Sequence, residues 1–196
     1  MIVPAVQGIL RWAKLNGRRA LGLRAQLDSE DRRVLEQIIL PVYAARATPQ
    51  RVLFVGCAPY TQHYGELFAA HEYWTIDPVA SMQRYGSRRH IVDGLHHLGS
   101  HIQPEYFNVI VCNGVLGWGL NAPEQVEAAF GACHRHLQAE GELIVGWNDV
   151  APRNNVSPDN VAALRLFRAA IFQPLGTFRY PVAGANRHVF DFYVKE

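Results

Sequence analysis

The sequence predicts an α/β domain built on an open, doubly wound, mostly parallel sheet whose last strand is reversed. Three observations carry this. From residue 51 onward, short apolar runs alternate with helix-like segments, the pattern of strands joined by crossover helices. Glycine, asparagine or aspartate stands at the end of almost every run, where ligands meet sheets of this kind. The chain closes on FRYPVAGANRHVFDFYV, two strand-like runs joined by the Ala183-Gly184-Ala185-Asn186 turn, which reads as an antiparallel hairpin.

Residues 1 to 48 read as a helical lead-in belonging to the same domain, and residues 49 to 196 as its main unit. In MIVPAVQGILRWAK, Ile2, Val6, Ile9, Leu10 and Ala13 share one helical face, expected to pack on the domain rather than lie on a membrane because the nearby positive charge is modest. LDSEDRRVLEQIILPVYAARA has Asp28 or Ser29 as a cap, acids in its first turn, and Val34, Leu35, Ile38, Ile39 and Val42 at helical spacing. Pro41 is expected to end or kink that helix, since it has no N–H to donate.

The strands follow as RVLFVG (51–56), YWTID (73–77), RHIV (89–92), NVIVCN (108–113) and ELIVGW (142–147). APEQVEAAFGACHRHLQAEG predicts a helix with Pro123 in its first turn, Val126, Ala129, Phe130, Cys133 and Leu137 turned inward, and Gly141 past its end. SPDNVAALRLFRAAIF predicts another, with Ser157 as cap and Pro158 at the first helical position.

Composition excludes several classes. A chain of 196 residues with 49% hydrophobic and 18% charged residues is an ordinary globular protein of about one domain. The net charge of +2 is carried by scattered arginines, with lysine only at positions 14 and 195, so no nucleic-acid groove is expected. No run of about 18 apolar residues is present, so no transmembrane helix is expected, and the N-terminus lacks the basic segment and cleavage site of a secretory signal. Cys57, Cys112 and Cys133 are odd in number and widely spaced, which points to a reducing compartment, the cytoplasm.

The chemistry is expected just beyond the strand ends, at Gly56, Asp77, Asp93, Asn113 and the Trp147-Asn148-Asp149 run. Gly56 permits close approach of a ligand to the backbone. Asp77 lies 21 positions after Gly56, close to the offset of about 20 at which an acid on the second strand reaches a ribose. A carboxylate there accepts two hydroxyl protons at once.

At these residues the chain resembles a class I S-adenosylmethionine-dependent methyltransferase, over about residues 50 to 150. VLFVGCAPY stands at the family's glycine-rich first motif, YWTIDP at the acid that binds the ribose, IVDGL at the acid that meets the adenine amine, FNVIVCNGVLGWG at the fourth strand and HLQAEGELIVGW at the opening of the fifth. The resemblance implies a Rossmann-like, seven-stranded sheet, S-adenosylmethionine as cofactor, and methyl transfer as activity. It places Gly56, Cys57, Ala58, Tyr60, Asp77, Pro78, Asp93, Gly94, Leu95 and Asn113 around the cofactor. Only the first of the family's three spaced glycines is kept, since Ala58 and Tyr60 hold the other two places. Pro59 removes an amide and biases Ala58 toward extended backbone, and Tyr60 is expected to fold over the amino-acid end of the cofactor.

The Asn/Asp-Pro-Pro-aromatic motif of enzymes acting on nucleic-acid bases or glutamine is missing from CNGVLGW, which leaves a small-molecule acceptor. His63, Trp118 and Trp147 are the candidates to touch it, while His188, on the final hairpin, is expected away from it. His97 with His101, and His134 with His136 beside Cys133, do not reach the three or four ligands a zinc site needs, so no metal is expected. A nicotinamide-dependent oxidoreductase is permitted by the acid spacing but lacks the Gly-x-Gly-x-x-Gly turn, and a non-catalytic nucleoside-binding relative is permitted by the altered glycines.

Overall fold

The computed structural model describes residues 27–151, 154 and 156–196. The helical face expected at Ile2 to Ala13, and the rest of the lead-in up to residue 26, lie outside the described residues. The strands are β1 (Arg51–Val55), β2 (Glu72–Ile76), β3 (Arg89–Ile91), β4 (Phe107–Asn113), β5 (Leu137–Asn148), β6 (Phe167–Ala169), β7 (Arg179–Pro181) and β8 (His188–Lys195). They form one sheet in the order β3-β2-β1-β4-β5-β8-β6, with β7 also paired to β8. β1 to β5 pair in parallel, and β8 runs antiparallel to β5, β6 and β7. This is the expected open sheet with a reversed last strand.

Eight strands stand where seven were expected, because the outer partner of β8 comes in two pieces. β6 pairs with Tyr193 to Lys195 and β7 with Val189 to Asp191. Between them the chain leaves the edge through the 3-10 turn Gln173–Leu175 and Gly176, whose φ of 66° suits glycine.

Four further expectations are corrected. The helix predicted over 157–172 is two 3-10 turns, Pro158–Asn160 and Ala162–Leu166, followed by β6. Ser157 does cap the first of them, accepting from the Asp159 N–H. Glu127 accepts from the N–H groups of Ala162 and Ala163 at 2.7 and 2.8 Å, and the ladder to β8 then takes the extended chain. Tertiary hydrogen bonds outweigh helix propensity there.

Second, α3 (Pro123–His136) is the one long crossover helix among the described residues; β1 and β2 are joined through four-residue α2 (Tyr64–Leu67), and the next two connections carry 3-10 turns, Ala80–Tyr85 and Leu95–Ser100. Third, α3 stops at His136, and Leu137 already pairs with Phe107, so Gly141 lies in the irregular start of β5, where the register shifts, rather than past a helix end.

Fourth, Pro41 does not end the lead-in helix. α1 (residues 30–44) runs through α-helical Glu30–Val34, a wide π turn Leu35–Ile39 and α-helical Leu40–Ala44. The Leu40 N–H bonds five residues back to Leu35 O, and this widened turn accommodates the proline. The widened turn also shifts the buried face to Leu35, Ile39, Leu40 and Tyr43 and leaves Val42 exposed.

Alternation along the central strands sends Val52, Phe54, Val109 and Val111 to the face covered by α1 and α2, and Leu53, Val55, Ile110 and Cys112 to the face covered by α3. Fully burying a Leu, Ile or Phe side chain contributes roughly 1.5–3 kcal/mol, so these two layers hold the sheet rigid beneath the site. Among the described residues no helix is long and apolar enough to cross a membrane.

Candidate functional site

The carboxyl ends of β1, β2 and β3 open into a cavity of about 370 Å³ whose lining includes Gly56, Asp77, Pro78, Asp93, Gly94 and Leu95. Val115, Trp118 and Leu120, from the loop after β4, close it from the other side. Gly56 has φ 85°, and a Cβ there would lie 3.2 Å from Val115 Cγ1, so both the backbone angle and the space favour glycine.

Asp77 is buried and braces two turns. Its Oδ2 accepts from the Cys57 N–H and its Oδ1 from the Val79 N–H, each at 2.8 Å, which leaves each oxygen further acceptor capacity for a ligand hydroxyl. Asp93 accepts from Gly94 N–H at 2.7 Å and from His97 Nδ1 and His101 Nε2 at 2.8 Å. His101, then His97, then the Gly94 amide hold its carboxyl well below the usual carboxylate range. It is therefore an anion at the rim of the cleft.

The Ala58-Pro59-Tyr60 departure has a local solution. Thr61 Oγ1 accepts from the Ala58 N–H at 3.0 Å and donates back to the Ala58 carbonyl, closing the turn with a side chain. Cys57 is buried behind it; burial and then the charge of Asp77 push its thiol up to about 11, so it packs rather than reacts. Cys57 and Ala58 do not line the cleft with their neighbours.

A second cavity, of about 300 Å³, shares Trp118 with the first. Its walls include Ser29, Asp31 and Arg32 from the start of α1, Tyr60, Asn113 and Gly114 after β4, Asn148 at the end of β5, and Asn186 and His188 from the final hairpin. Arg32 is 7% exposed, lies 4.4 Å from the centre of the Tyr60 ring and donates to Tyr64 Oη at 3.1 Å. Tyr64 in turn donates to Glu36 Oε1. Among the described residues, no carboxylate is in salt-bridge range of this guanidinium.

His188 is 4% exposed, with Nε2 3.1 Å from Asn113 Oδ1. The two side chains meet above Gly146 of β5, where a Cβ would stand 1.9 Å from Asn113 Oδ1 and 2.9 Å from His188 Nε2. Burial lowers the His188 pKa to about 4, with Asp31 raising it and Arg32 lowering it by smaller amounts.

The structure thus brings Gly56, Asp77, Pro78, Asp93, Gly94 and Leu95 to one cleft and Tyr60 and Asn113 to the next, with Trp118 between them, 58% exposed. His63 precedes α2 with its ring against Tyr64 and lines neither cavity. Trp147 lines neither cavity: it is buried, and its Nε1 donates to Asp191 Oδ2 at 2.9 Å. The expectation that His188 sits away from the site is reversed, because the antiparallel register sets His188 beside Asn148 at the carboxyl end of β5. Arg32 and Asp31 line the second cavity but carry no local signal in the sequence beyond a helix first turn. His136 is buried with Nδ1 on the Ala132 carbonyl, and His134 packs edge-on to Phe167, so that pair stays in the scaffold.

No protein-family model matches the chain, and no curated protein matches it. Solved structures do. A TehB-like SAM-dependent methyltransferase from Corynebacterium glutamicum is 20% identical, with a TM-score of 0.61 over 99% of this chain and 100% of that one. The N-methyltransferase NodS from Bradyrhizobium japonicum, solved with S-adenosyl-L-homocysteine, is 16% identical with a TM-score of 0.65 over 86% and 89%. Magnesium protoporphyrin IX methyltransferase from Synechocystis PCC 6803, solved with SAM, is 15% identical with a TM-score of 0.61 over 96% and 91%. At these identities the likeness establishes the fold, which is that of the SAM-dependent methyltransferases.

Proposed function

We propose that the protein is an S-adenosylmethionine-dependent methyltransferase acting on a small-molecule acceptor. The observation that carries this is the convergence of Gly56, Asp77 and Asp93 on one cleft, in a fold whose structural neighbours are crystallised with SAM or its product. Asp77 accepts from the ribose hydroxyls, Asp93 from the adenine amine, and Pro78, Gly94 and Leu95 flank the base. Cys57 and Ala58 hold the floor of the turn. Asn113, Tyr60 and the Asp31–Arg32 pair take the methionine end, whose ammonium and carboxylate match an acid and a guanidinium side by side.

The sulfonium then lies toward Trp118, at the junction of the two cavities, where an aromatic face attracts a cation. Methyl transfer is an in-line displacement, so most of the acceleration comes from alignment in a site that excludes water. The acceptor enters through the second cavity. The neighbour acting on magnesium protoporphyrin IX supports a small-molecule acceptor. The scattered arginines give nucleic acid no track, and the free state of all three cysteines suits the cytoplasm.

Calorimetric titration with S-adenosylhomocysteine, beside mass spectrometry of ligand carried through purification, tests the assignment. Binding that Asp77→Ala weakens by about tenfold or more is expected, since charge-assisted hydrogen bonds are lost. A retained dinucleotide, or affinity indifferent to Asp77, removes the reading.

A further inference from the structure

The cofactor assignment leaves one prepared side chain unused, that of His188, held against Asn113 over Gly146. We propose that His188 is the proton acceptor of the transfer and that the acceptor molecule is protic, presenting an N–H or O–H nucleophile in the second cavity. This rests on the methyltransferase reading above.

The geometry is built for one tautomer. Asn113 leaves the end of β4 and His188 opens β8, on either side of β5, and their side chains touch only because position 146 has no Cβ. With Asn113 Oδ1 as the acceptor, the imidazole carries its proton on Nε2, and Nδ1 is left as the basic atom. Burial then keeps the ring neutral at neutral pH. The charged groups facing it are Asp31 and Arg32 of α1; Tyr60 and Asn148 complete the polar wall, and the Arg187–Asp149 ion pair lies next to it along the chain.

The step balances without a further reagent. The acceptor lone pair forms the new bond to the methyl carbon as the sulfur–carbon bond breaks, and that bonding pair returns to sulfur, turning the sulfonium into a thioether. The methylated centre becomes an oxonium or ammonium and loses its proton to Nδ1. The positive charge given up by sulfur is therefore recovered on an imidazolium near Asp31, and the proton leaves to solvent. An aprotic nucleophile, such as a tertiary amine or a thioether, has no proton for His188 to take.

The test uses the whole chain, labelled with nitrogen-15 histidine, saturated with S-adenosylhomocysteine, and titrated with phenol and with aniline as probes; anisole and N,N-dimethylaniline are the aprotic controls. We expect phenol or aniline, but neither control, to move the His188 Nδ1 resonance. His188→Gln should weaken that probe by about tenfold while leaving S-adenosylhomocysteine affinity within about twofold, the scale of one lost hydrogen bond. If that variant does not fold, the nitrogen shifts of the unaltered protein decide alone. A His188 silent to both protic probes, with S-adenosylhomocysteine bound, overturns the inference only. Loss of S-adenosylhomocysteine affinity in His188→Gln also overturns it, assigning the histidine to the cofactor. No S-adenosylhomocysteine binding by the unaltered protein overturns both readings.

Discussion

The two cavities share Trp118 but are assembled in different ways. The cleft above β1, β2 and β3 takes Gly56, Asp77 and Asp93 from the first or second position past a strand, so each wall residue is placed by its own strand. The neighbouring cavity takes Arg32 from the first turn of α1, Asn113 from β4, Asn148 from β5 and His188 from β8, residues more than 150 positions apart at the extremes. The difference teaches that a cleft can be a property of strand ends, whereas the adjoining cavity exists only when the helix before the sheet and the reversed strand after it both dock.

Substitutions separate the two. The largest effect is expected at Asp191, which is 1% exposed and accepts from Trp147 Nε1 and from Arg179 Nε and Nη2 at 2.9, 2.5 and 3.0 Å. Asp191→Ala leaves the indole N–H unpaired and the guanidinium with Asp159 as its remaining carboxylate, and costs about 3–5 kcal/mol in lost charge-assisted hydrogen bonds and an orphaned buried donor, read by urea denaturation. Because β8 carries His188 and not Asp77 or Asp93, the second cavity is predicted to loosen first. Equal loss of hydrogen-exchange protection at Asp77 and at His188 would erase the distinction.

Acid comes next. His188 has a folded pKa near 4 against an ordinary value of 6.5, so its contribution to stability is fully present above about pH 6.5 and is lost as pH falls toward 4. The full loss is on the order of 3 kcal/mol. His188→Gln should flatten the midpoint between pH 6.5 and 4; an unchanged acid profile would mean that His188 titrates as an ordinary surface histidine.

Asp77→Ala follows, its loss of S-adenosylhomocysteine affinity corresponding to about 1.5–3 kcal/mol, with the His188 nitrogen shifts unmoved. The smallest effect is expected at His97, 57% exposed in its pairing with Asp93. His97→Gln should change cofactor affinity by less than about threefold, as exposed ion pairs contribute little. A larger drop would make His97 a positioning residue for the adenine.

The legible parts were those governed by period and local turn chemistry. RVLFV, EYWTI and NVIVC are strands because β-branched and aromatic residues alternate between two covered faces, and Gly56 is a turn because its φ is positive. The illegible parts were decided at a distance. Residues 157–172 have a helical pattern, yet Glu127 and the open edge of β8 draw them into turns and a strand. Trp147 stands at a strand end like the ligand residues, yet the carboxylate of Asp191 holds its indole in the core. Pro41 should interrupt a helix by its missing N–H, yet a π turn absorbs it and rotates Tyr43 inward.

By itself the sequence determined the five parallel strands, the reversed final strand and the acids at the ends of β2 and β3, since each follows from side-chain alternation or from a residue within two positions of a strand end. Only the tertiary structure decided that Arg32, Asn113 and His188 face one space. Their meeting depends on the register of β8 against β5 and on the bare backbone of Gly146, and side chains from separate elements come within hydrogen-bonding distance only after those elements have packed.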